Sequence, residues 1–172
     1  MNINETLKHY FGYDSLRPGQ QELIEGILQR KDVLGIMPTG AGKSLCYQVP
    51  ALMLDGITIV VSPLISLMTD QVKALNQTGV HAAYINSSLT ENQIRTALFY
   101  AAQGRYKIIY VAPERLNTMR FLEFACQVDT SMVTVDEAHC ISQWGQDFRP
   151  SYVGIADFLA QLPKRPVVSA FT

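Results

Sequence analysis

The residues with the clearest chemical potential are glycines, a lysine and a hydroxyl that lie close together in MPTGAGKS, residues 37–44. Glycines let the backbone turn tightly, so that several N–H groups can point at the oxygens of one phosphate. A lysine beside them adds positive charge for the β and γ phosphates of a nucleotide, and a serine hydroxyl can bind Mg²⁺. The residues that would contact such a ligand are Gly40, Ala41, Gly42, Lys43 and Ser44. The segment therefore predicts a phosphate-binding loop that takes ATP with Mg²⁺.

The loop departs from the usual pattern G-x-x-x-x-G-K-[ST] at one position. Gly42, Lys43 and Ser44 match the pattern, whereas Met37 occupies the place of its first glycine. The loop follows an apolar run and precedes a helical pattern, and this is where a parallel sheet binds its ligands, at the carboxyl ends of the strands. The alternative is an ordinary glycine-rich turn in which Lys43 is exposed and has no ligand.

Two neighbouring acids form a second group with chemical potential. Asp136 and Glu137 end the apolar run in MVTVDEAH, and successive residues of a strand cannot point the same way. We therefore expect Asp136 to hold magnesium, through water, and Glu137 to orient or deprotonate the attacking water. The alternative makes Asp136 a helix N-cap and Glu137 an exposed acid of the first turn. His139 lies next to Cys140, and adjacent helical residues do not face one ligand, so we expect a structural or coupling histidine.

Aromatic residues and an arginine follow directly, in CISQWGQDFRPSY, residues 140–152. Trp144 and Phe148 offer faces on which unpaired bases can stack, and Arg149 can contact a phosphate or a base. Gln143 and the other polar or flexible neighbours favour an exposed loop. The alternative is a small hydrophobic cluster in which the two aromatic rings pin the loop.

These segments need a scaffold that brings them together, and the apolar runs of the chain predict one. Runs rich in β-branched residues lie at 32–37, 57–61, 107–112, 132–136 and 166–171, with a weaker candidate at 81–85. Runs without polar alternation are typical of strands buried on both faces. Between them lie helical patterns, whose core-facing stripes include Leu23, Ile24, Ile27 and Leu28, and Leu64, Met68, Val72 and Leu75. The sequence therefore predicts an α/β fold with a doubly wound, mainly parallel sheet and helices on both faces.

Composition narrows the class of protein further. The chain has 172 residues, 48% of them hydrophobic, which suits one domain with a sizeable core. A formal net charge of −1 gives no overall positive field, so contact with nucleic acid would have to be local. The three cysteines form no CxxC pair, which favours free thiols in a reducing compartment. With neither a signal peptide nor a long apolar segment, we expect a soluble, cytoplasmic protein without membrane partners.

Five motifs together resemble the first RecA-like lobe of a RecQ DNA helicase. They are MPTGAGKSLCYQ, VVSPLISLMTDQV, YVAPERL, VDEAHCISQWGQDFRPSY and the terminal SAFT. A phosphate loop with DEAH alone would indicate only a superfamily two helicase or translocase, whereas DEAH running into CISQWGQDFRPSY is similar to RecQ enzymes in particular. The resemblance implies a RecA-like P-loop domain over residues 1–172.

An upstream segment, FGYDSLRPGQ, resembles the family's adenine-recognition segment. The resemblance implies that Tyr13 stacks on the base, that Arg17 packs nearby and that Gln20 hydrogen-bonds the adenine edge. From the residues alone, a helix start at Pro18 with Tyr13 as a core aromatic explains the segment equally well.

Three features depart from the family. Leu16 replaces a commoner phenylalanine, and Gln146 stands where the family usually has histidine. The chain also ends within SAFT, the start of the third helicase motif. We therefore expect an amino-terminal lobe cut at that motif, without the second RecA-like lobe and its arginine finger.

The resemblance implies the activity of an ATP-dependent 3′-to-5′ DNA helicase, an ATP hydrolase that unwinds DNA in repair and recombination. Its cofactors would be ATP and Mg²⁺, its partner single-stranded and partly duplex DNA, and its place the cytoplasm, associated with the chromosome. The lobe alone should be nearly inactive and bind DNA weakly or not at all, because the arginine finger and half of the DNA track are missing. Two alternatives stay open: the lobe of a DEAH or DEAD RNA helicase, and a nucleotide-binding module that is inactive in isolation.

Overall fold

Six strands form one sheet at the centre of the molecule, which a computed structural model describes for all residues 1–172. The strands are β1 Val33–Gly35, β2 Ile57–Val61, β3 Ala82–Ile85, β4 Ile108–Val111, β5 Thr130–Val135 and β6 Val167–Phe171. The helices are α1 Ile3–Phe11, α2 Gln20–Leu28, α3 Lys43–Met53, α4 Ile65–Gln77, α5 Glu91–Ala102, α6 Met119–Gln127 and α7 Gly154–Gln161. Short 3₁₀ helices cover Pro113–Arg115, Ala138–Ile141 and Pro150–Tyr152.

All neighbouring strands of the sheet are parallel, in the order β1-β6-β5-β2-β4-β3. Strand β6 therefore lies between β1 and β5, although it is the last strand of the chain. Because parallel strands end at the same edge, the segments that follow β1, β5 and β6 lie side by side. This edge carries the phosphate loop, the acidic residues and the carboxyl terminus.

Helices pack on both faces of the sheet, as the sequence predicted. Strand β2 sends Ile57, Ile59 and Val61 into a cluster with α5, α6 and α7. Its Val60 joins a second cluster, with residues of α3 and α4 such as Tyr47 and Met68. Every residue of β2 is buried, which explains why its sequence shows no polar alternation. The predicted doubly wound sheet is confirmed, and every strand pair in it is parallel.

The predicted strand bounds are correct for 57–61 and shift elsewhere. The runs at 107–112, 166–171 and 81–85 lose one or two terminal residues, and the run at 132–136 begins earlier and ends before Asp136. The largest error concerns 32–37, of which only Val33–Gly35 is strand. Leu34 of this edge strand is 61% exposed, so β1 is not buried on both faces as predicted.

One stripe residue was predicted wrongly. Met68, Val72 and Leu75 are buried as expected, but Leu64 is 44% exposed. Leu64 precedes the first turn of α4 in an extended conformation, so its side chain does not follow the helical stripe. In the other stripe, Ile24 and Ile27 are fully buried.

A side chain of α4 forms hydrogen bonds with the first residue of the edge strand β3. The Asn76 amide accepts a hydrogen bond from the Ala82 N–H at 3.0 Å and donates one to the Ala82 carbonyl at 3.3 Å. These bonds satisfy both backbone groups of the first residue of β3 on its open side.

The three cysteines, Cys46, Cys126 and Cys140, are unpaired in the structure. Burial raises the pKa of Cys46 to about 11, so its thiol stays protonated at neutral pH. None of the helices has the length and apolar character needed to cross a membrane.

Candidate active site

The phosphate loop connects β1 to α3 through two glycines with left-handed backbone. Gly40 and Gly42 have φ angles of 80° and 82°, which residues with a Cβ rarely adopt. Gly42 immediately precedes α3, which begins at Lys43. The predicted strand-to-helix turn is therefore present, and the amino end of a three-turn helix with its unpaired N–H groups faces the loop.

Met37 stands in the place of the usual first glycine. The backbone at this position continues the pairing of β1 with β6. Its N–H donates to the carbonyl of Thr172 at 2.9 Å, and the Thr172 N–H donates to the Gly35 carbonyl at 3.0 Å. Met37 does not have a positive φ. The Cys46 thiol contacts its sulfur, with 3.8 Å between the two S atoms. A side chain is therefore accommodated where the pattern has glycine.

Residues of the upstream segment hold the phosphate loop from outside. The Gln20 Nε2 donates to the carbonyls of Gly42, at 3.0 Å, and Ala41, at 3.3 Å. The Arg17 guanidinium donates to the Gly40 carbonyl at 2.5 Å, and the Arg17 N–H donates to Gln20 Oε1 at 2.7 Å. Gln20 is 1% exposed. Sequence analysis missed this support of the loop, because it assigned Gln20 and Arg17 to a ligand and not to protein carbonyls.

Tyr13 is 54% exposed, so it is not the core aromatic of the alternative interpretation. Gln20 is the first residue of α2, as the helix-start interpretation requires. The adenine role of Tyr13, Arg17 and Gln20 stays a prediction.

Asp136 and Glu137 follow β5 at the same edge of the sheet. The Asp136 N–H still pairs with the Val61 carbonyl at 2.9 Å, and Asp136 Oδ1 accepts the Glu137 N–H at 3.0 Å. Glu137 has a φ of 50°, in the left-handed region. Asp136 is not the N-cap of a helix, because Glu137 precedes the 3₁₀ helix and its side chain makes no capping bond.

Glu137 brings the acidic segment to the phosphate loop. Its Oε1 lies 3.9 Å from the Nζ of Lys43, and both side chains are about a quarter exposed. Lys43 is thus not an exposed lysine on an ordinary turn. Its ammonium and the Glu137 carboxylate lie next to each other at the carboxyl edge of the sheet.

The buried carboxyl of Asp136 suits a cation. Burial raises its pKa, and the neighbouring Glu137 raises it further. The Glu137 N–H, Lys43 and His139 lower it by less, so a negative charge here is incompletely balanced. An added divalent ion would supply the missing positive charge.

Ser44 and Asp136 both act on the buried phenol of Tyr47. Burial raises the pKa of Tyr47 well above its ordinary value, Tyr110 and Asp136 raise it further, and a hydrogen bond with Ser44 lowers it. A hydroxyl and a carboxylate are ligands that Mg²⁺ accepts. The residues present therefore fit the predicted metal.

His139 connects three segments of the site. Its Nδ1 lies 2.9 Å from the Thr172 hydroxyl and 3.5 Å from the Glu137 carboxylate. Its Nε2 lies 3.7 Å from the Asp147 carboxylate. The histidine therefore contacts the acidic segment, the carboxyl terminus and the loop that contains Trp144. This position fits the predicted coupling role, which stays a prediction.

The segment Ser142–Arg149, called the aromatic loop below, is almost entirely exposed. Trp144 is 97% exposed and Gln143 is exposed, while Phe148 is partly buried. Trp144 is thus free of the hydrophobic cluster that the alternative interpretation required. The Arg149 N–H donates to the Cys140 carbonyl at 2.9 Å and closes the loop, and its side chain remains exposed.

Tyr152 is a site residue that sequence analysis did not identify. It is fully buried, and its hydroxyl donates to the Asp136 carbonyl at 2.7 Å. The only signal in the sequence was its place at the end of VDEAHCISQWGQDFRPSY, and a tyrosine there is equally typical of a core position.

Comparison with known proteins agrees with these features. A family model described as DEAD/DEAH box helicase matches residues 17–172. The chain is 51% identical to the ATP-dependent DNA helicase RecQ of Bacillus subtilis, over 96% of this chain and 28% of that protein. It is 40% identical to the ATP-dependent DNA helicase Q1 of Rattus norvegicus, over 94% of this chain and 27% of that protein. The chain spans about a quarter of the length of these relatives.

Solved structures share the fold at low identity. A hypothetical ATP-dependent RNA helicase from Sulfolobus tokodaii has a TM-score of 0.76 at 22% identity, covering 100% of this chain and 50% of that chain. The DUF1998 helicase MrfA bound to DNA and AMPPNP has a TM-score of 0.72 at 15% identity, covering 100% of this chain and 26% of that chain. At these identities the likeness concerns the fold alone.

We expect Gly42→Ala to destabilise the chain more than Gly104→Ala. The two glycines have φ angles of 82° and 80°, so each alanine carries about 1 kcal/mol or more of backbone strain. A Cβ at Gly42 would also overlap the Gln20 amide, whereas one at Gly104 meets open space. Urea denaturation gives the two losses in the free energy of unfolding. Equal losses would show that Gln20 does not pack tightly on the loop.

We expect Asp136→Asn to raise the melting temperature of the nucleotide-free chain near neutral pH. Because the pKa of Asp136 is raised in the folded state, the folded chain loses stability as pH rises and the carboxyl ionises. A neutral amide of the same shape avoids this loss. The gain should vanish at a pH low enough to protonate the carboxyl.

Thermal denaturation at both pH values measures the effect, with Asp157→Asn, which alters an exposed carboxyl of α7, as the matched control. A lower melting temperature of Asp136→Asn at neutral pH, relative to that control, would contradict the prediction.

Proposed function

The chain belongs to the DEAD/DEAH box helicase family, and on this premise we propose that it is the amino-terminal ATP-binding lobe of a RecQ-type DNA helicase. The RecQ assignment is supported by relatives of 40–51% identity whose printed names are ATP-dependent DNA helicases. The complete enzyme would couple ATP hydrolysis to 3′-to-5′ unwinding of DNA in repair and recombination, and would work in the cytoplasm on the chromosome.

The observation that carries the proposal is the 3.9 Å approach of Lys43 Nζ to Glu137 Oε1. Those residues come from segments that are more than 90 positions apart in the sequence. A cation for phosphate oxygens and a carboxylate for water are the two groups that phosphoryl transfer to water needs close together.

Each residue then has a separate task. Lys43 and the N–H groups of the glycine loop hold and neutralise the β and γ phosphates. Glu137 orients the attacking water and accepts its proton. Ser44 and Asp136 would hold Mg²⁺, which when bound draws negative charge away from the transferred phosphoryl group.

Adenine recognition would use the segment that supports the phosphate loop. The exposed ring of Tyr13 is available for stacking on a base. The buried Gln20 amide donates to two loop carbonyls and its Oε1 accepts the Arg17 N–H, so an adenine that bonded to this Oε1 would be a second partner of the same atom and would be coupled to the shape of the loop. Arg17 would stabilise the same loop from its outer side.

DNA is the proposed nucleic-acid partner, single-stranded and partly duplex, and the aromatic loop is its proposed contact. Trp144 presents both faces of its indole to solvent, and base stacking on such a ring contributes roughly 1–3 kcal/mol per base. Arg149 is also exposed. Gln143, Phe148 and His139 would carry the contact toward Glu137. The likeness to an RNA helicase at 22% identity concerns the fold and does not favour RNA.

The lobe in isolation should turn over ATP hardly at all and bind DNA weakly. An arginine finger contributes about 10³–10⁵ in rate to enzymes of this chemistry, and the RecQ resemblance assigns it to a second lobe. Nucleotide binding is thus the activity to test on this chain, and hydrolysis is the activity to test on a two-lobe protein.

We expect Lys43→Ala to abolish most binding of ADP or ATP with Mg²⁺, because it removes the charge opposite the phosphates. Isothermal titration calorimetry measures the affinities, and Lys73→Ala, an exposed lysine of α4, is the matched control. Equal affinity of Lys43→Ala and the unmodified chain would contradict the nucleotide site.

We expect Trp144→Ala to leave ATP binding near normal and to abolish most of the DNA stimulation of hydrolysis. The protein for this test joins the chain to the remainder of the Bacillus subtilis RecQ relative, so that both lobes are present. Phe99→Ala removes an aromatic ring that is 59% exposed on α5, and it serves as the control. Unchanged stimulation in Trp144→Ala would remove the aromatic loop from the proposed DNA contact.

A further inference from the structure

Tyr152 lies where the aromatic loop returns to the sheet. Its N–H donates to the Arg149 carbonyl at 3.0 Å, within the 3₁₀ turn that follows the loop. Its ring is fully buried in the cluster formed with α5, α6 and α7. The end of the loop is therefore fixed to the core through a single rigid side chain.

The hydroxyl of this tyrosine reaches back to the acidic segment. It donates to the Asp136 carbonyl at 2.7 Å, a bond between buried groups separated by 16 positions in the chain. A buried phenol that lost this acceptor would leave its O–H unsatisfied. The surrounding burial also raises the pKa of Tyr152, so the hydroxyl remains a donor at any physiological pH.

The carbonyl that accepts this bond belongs to the Asp136–Glu137 peptide group. The N–H of the same peptide donates to Asp136 Oδ1 at 3.0 Å. The peptide is therefore held on one side by Tyr152 and on the other by the Asp136 carboxylate. The next residue, Glu137, has a φ of 50°, a conformation that is unfavourable for a non-glycine residue. Such backbone persists only where the surroundings fix it.

A second contact holds the chain just after Tyr152. The Asn117 amide, which follows β4, donates to the Gly154 carbonyl at 2.9 Å, and a Cβ at Gly154 would press on that amide. Gly154 begins α7, two residues after Tyr152. The Asn117 bond thus anchors the chain two residues beyond Tyr152. The Tyr152 N–H bond to Arg149 and its hydroxyl bond to Asp136 then connect the end of the aromatic loop to the acidic segment.

We propose that Tyr152 is a positioning residue: its hydroxyl fixes the Asp136–Glu137 peptide, and thereby the Glu137 carboxylate, and transmits the state of the aromatic loop to it. The inference rests on the proposed role of Glu137 in ATP hydrolysis. Tyr152 contacts neither the nucleotide nor the reacting water. Its effect reaches the reaction only through the backbone.

The first test uses the fluorescence of Trp144, the single tryptophan of the chain. Saturating ADP with Mg²⁺ should change its emission in the unmodified chain, because the acidic segment and the loop share the Tyr152 bond. In Tyr152→Phe, which keeps the ring and removes the hydroxyl, most of that change should disappear while the Kd for ADP stays within about twofold. Equal emission changes in both proteins, or no change in the unmodified chain, would overturn the transmission.

The second test measures hydrolysis in the two-lobe protein. Tyr152→Phe should lower kcat with DNA by about tenfold and leave the KM for ATP nearly unchanged, since one buried hydrogen bond to a positioned group is lost. Phe158→Leu is the control, because it weakens the same cluster without touching the acidic segment. It should lower the melting temperature without lowering kcat at temperatures where the protein is folded.

A third variant separates this inference from the proposed function. Glu137→Gln should abolish hydrolysis and retain nucleotide binding. If Glu137→Gln hydrolyses ATP normally, the proposed function fails. If Glu137→Gln is inactive while Tyr152→Phe keeps its kcat, or loses activity only in parallel with stability as Phe158→Leu does, then the role of Tyr152 is overturned and the proposed function stands.

Discussion

The parallel pairing of β1, β6 and β5 is the constraint on which the site depends. It places three carboxyl ends next to one another, and these ends lead into the glycine loop, Thr172 and the Asp136–Glu137 pair. Strand β6 is the central member. Thr172 exchanges backbone hydrogen bonds with the β1 side, and its hydroxyl meets His139 on the β5 side. A reversal of any of these strands would send its loop to the opposite edge.

The sheet also stabilises local structure that is unfavourable on its own. Glu137 has left-handed backbone, and Asp136 holds a carboxyl whose ionised form is poorly solvated. Apolar clusters on both faces of the sheet offset these losses. A cation bound at Asp136 would balance the charge of this carboxyl, so the proposed binding of Mg²⁺ would also stabilise the fold at this edge.

The sequence was most informative where the signal is local. The periodicity of the apolar runs predicted the fold, and the RecQ resemblance of the motifs is confirmed by relatives of up to 51% identity. Errors arose where position in the sheet overrides composition. Leu34 has a typical core side chain, but it lies in the three-residue edge strand β1 and is exposed. Leu64 precedes its helix, so its side chain is not part of the buried helical stripe.

Contacts between distant segments could not be predicted. The Gln20 bond to Gly42 and the Tyr152 bond to Asp136 join parts of the chain whose distance only the assembled fold determines. Gln20 was assigned to a ligand because a side-chain amide beside a loop can donate equally well to a ligand or to a backbone carbonyl of the loop. Tyr152 was passed over because a tyrosine before a helix is typical of the core.

The two hydrogen bonds of Asn76 to Ala82 have a consequence for how molecules of this protein meet one another. A free strand edge is a template on which a strand of another chain can grow, and it leads to aggregation when folding is incomplete. Here an incoming strand would first have to displace an amide that already satisfies the first residue of β3. At the opposite border, β1 offers only three residues to pair with. Both borders thus offer an incoming strand fewer free backbone groups than a long, uncapped edge strand would.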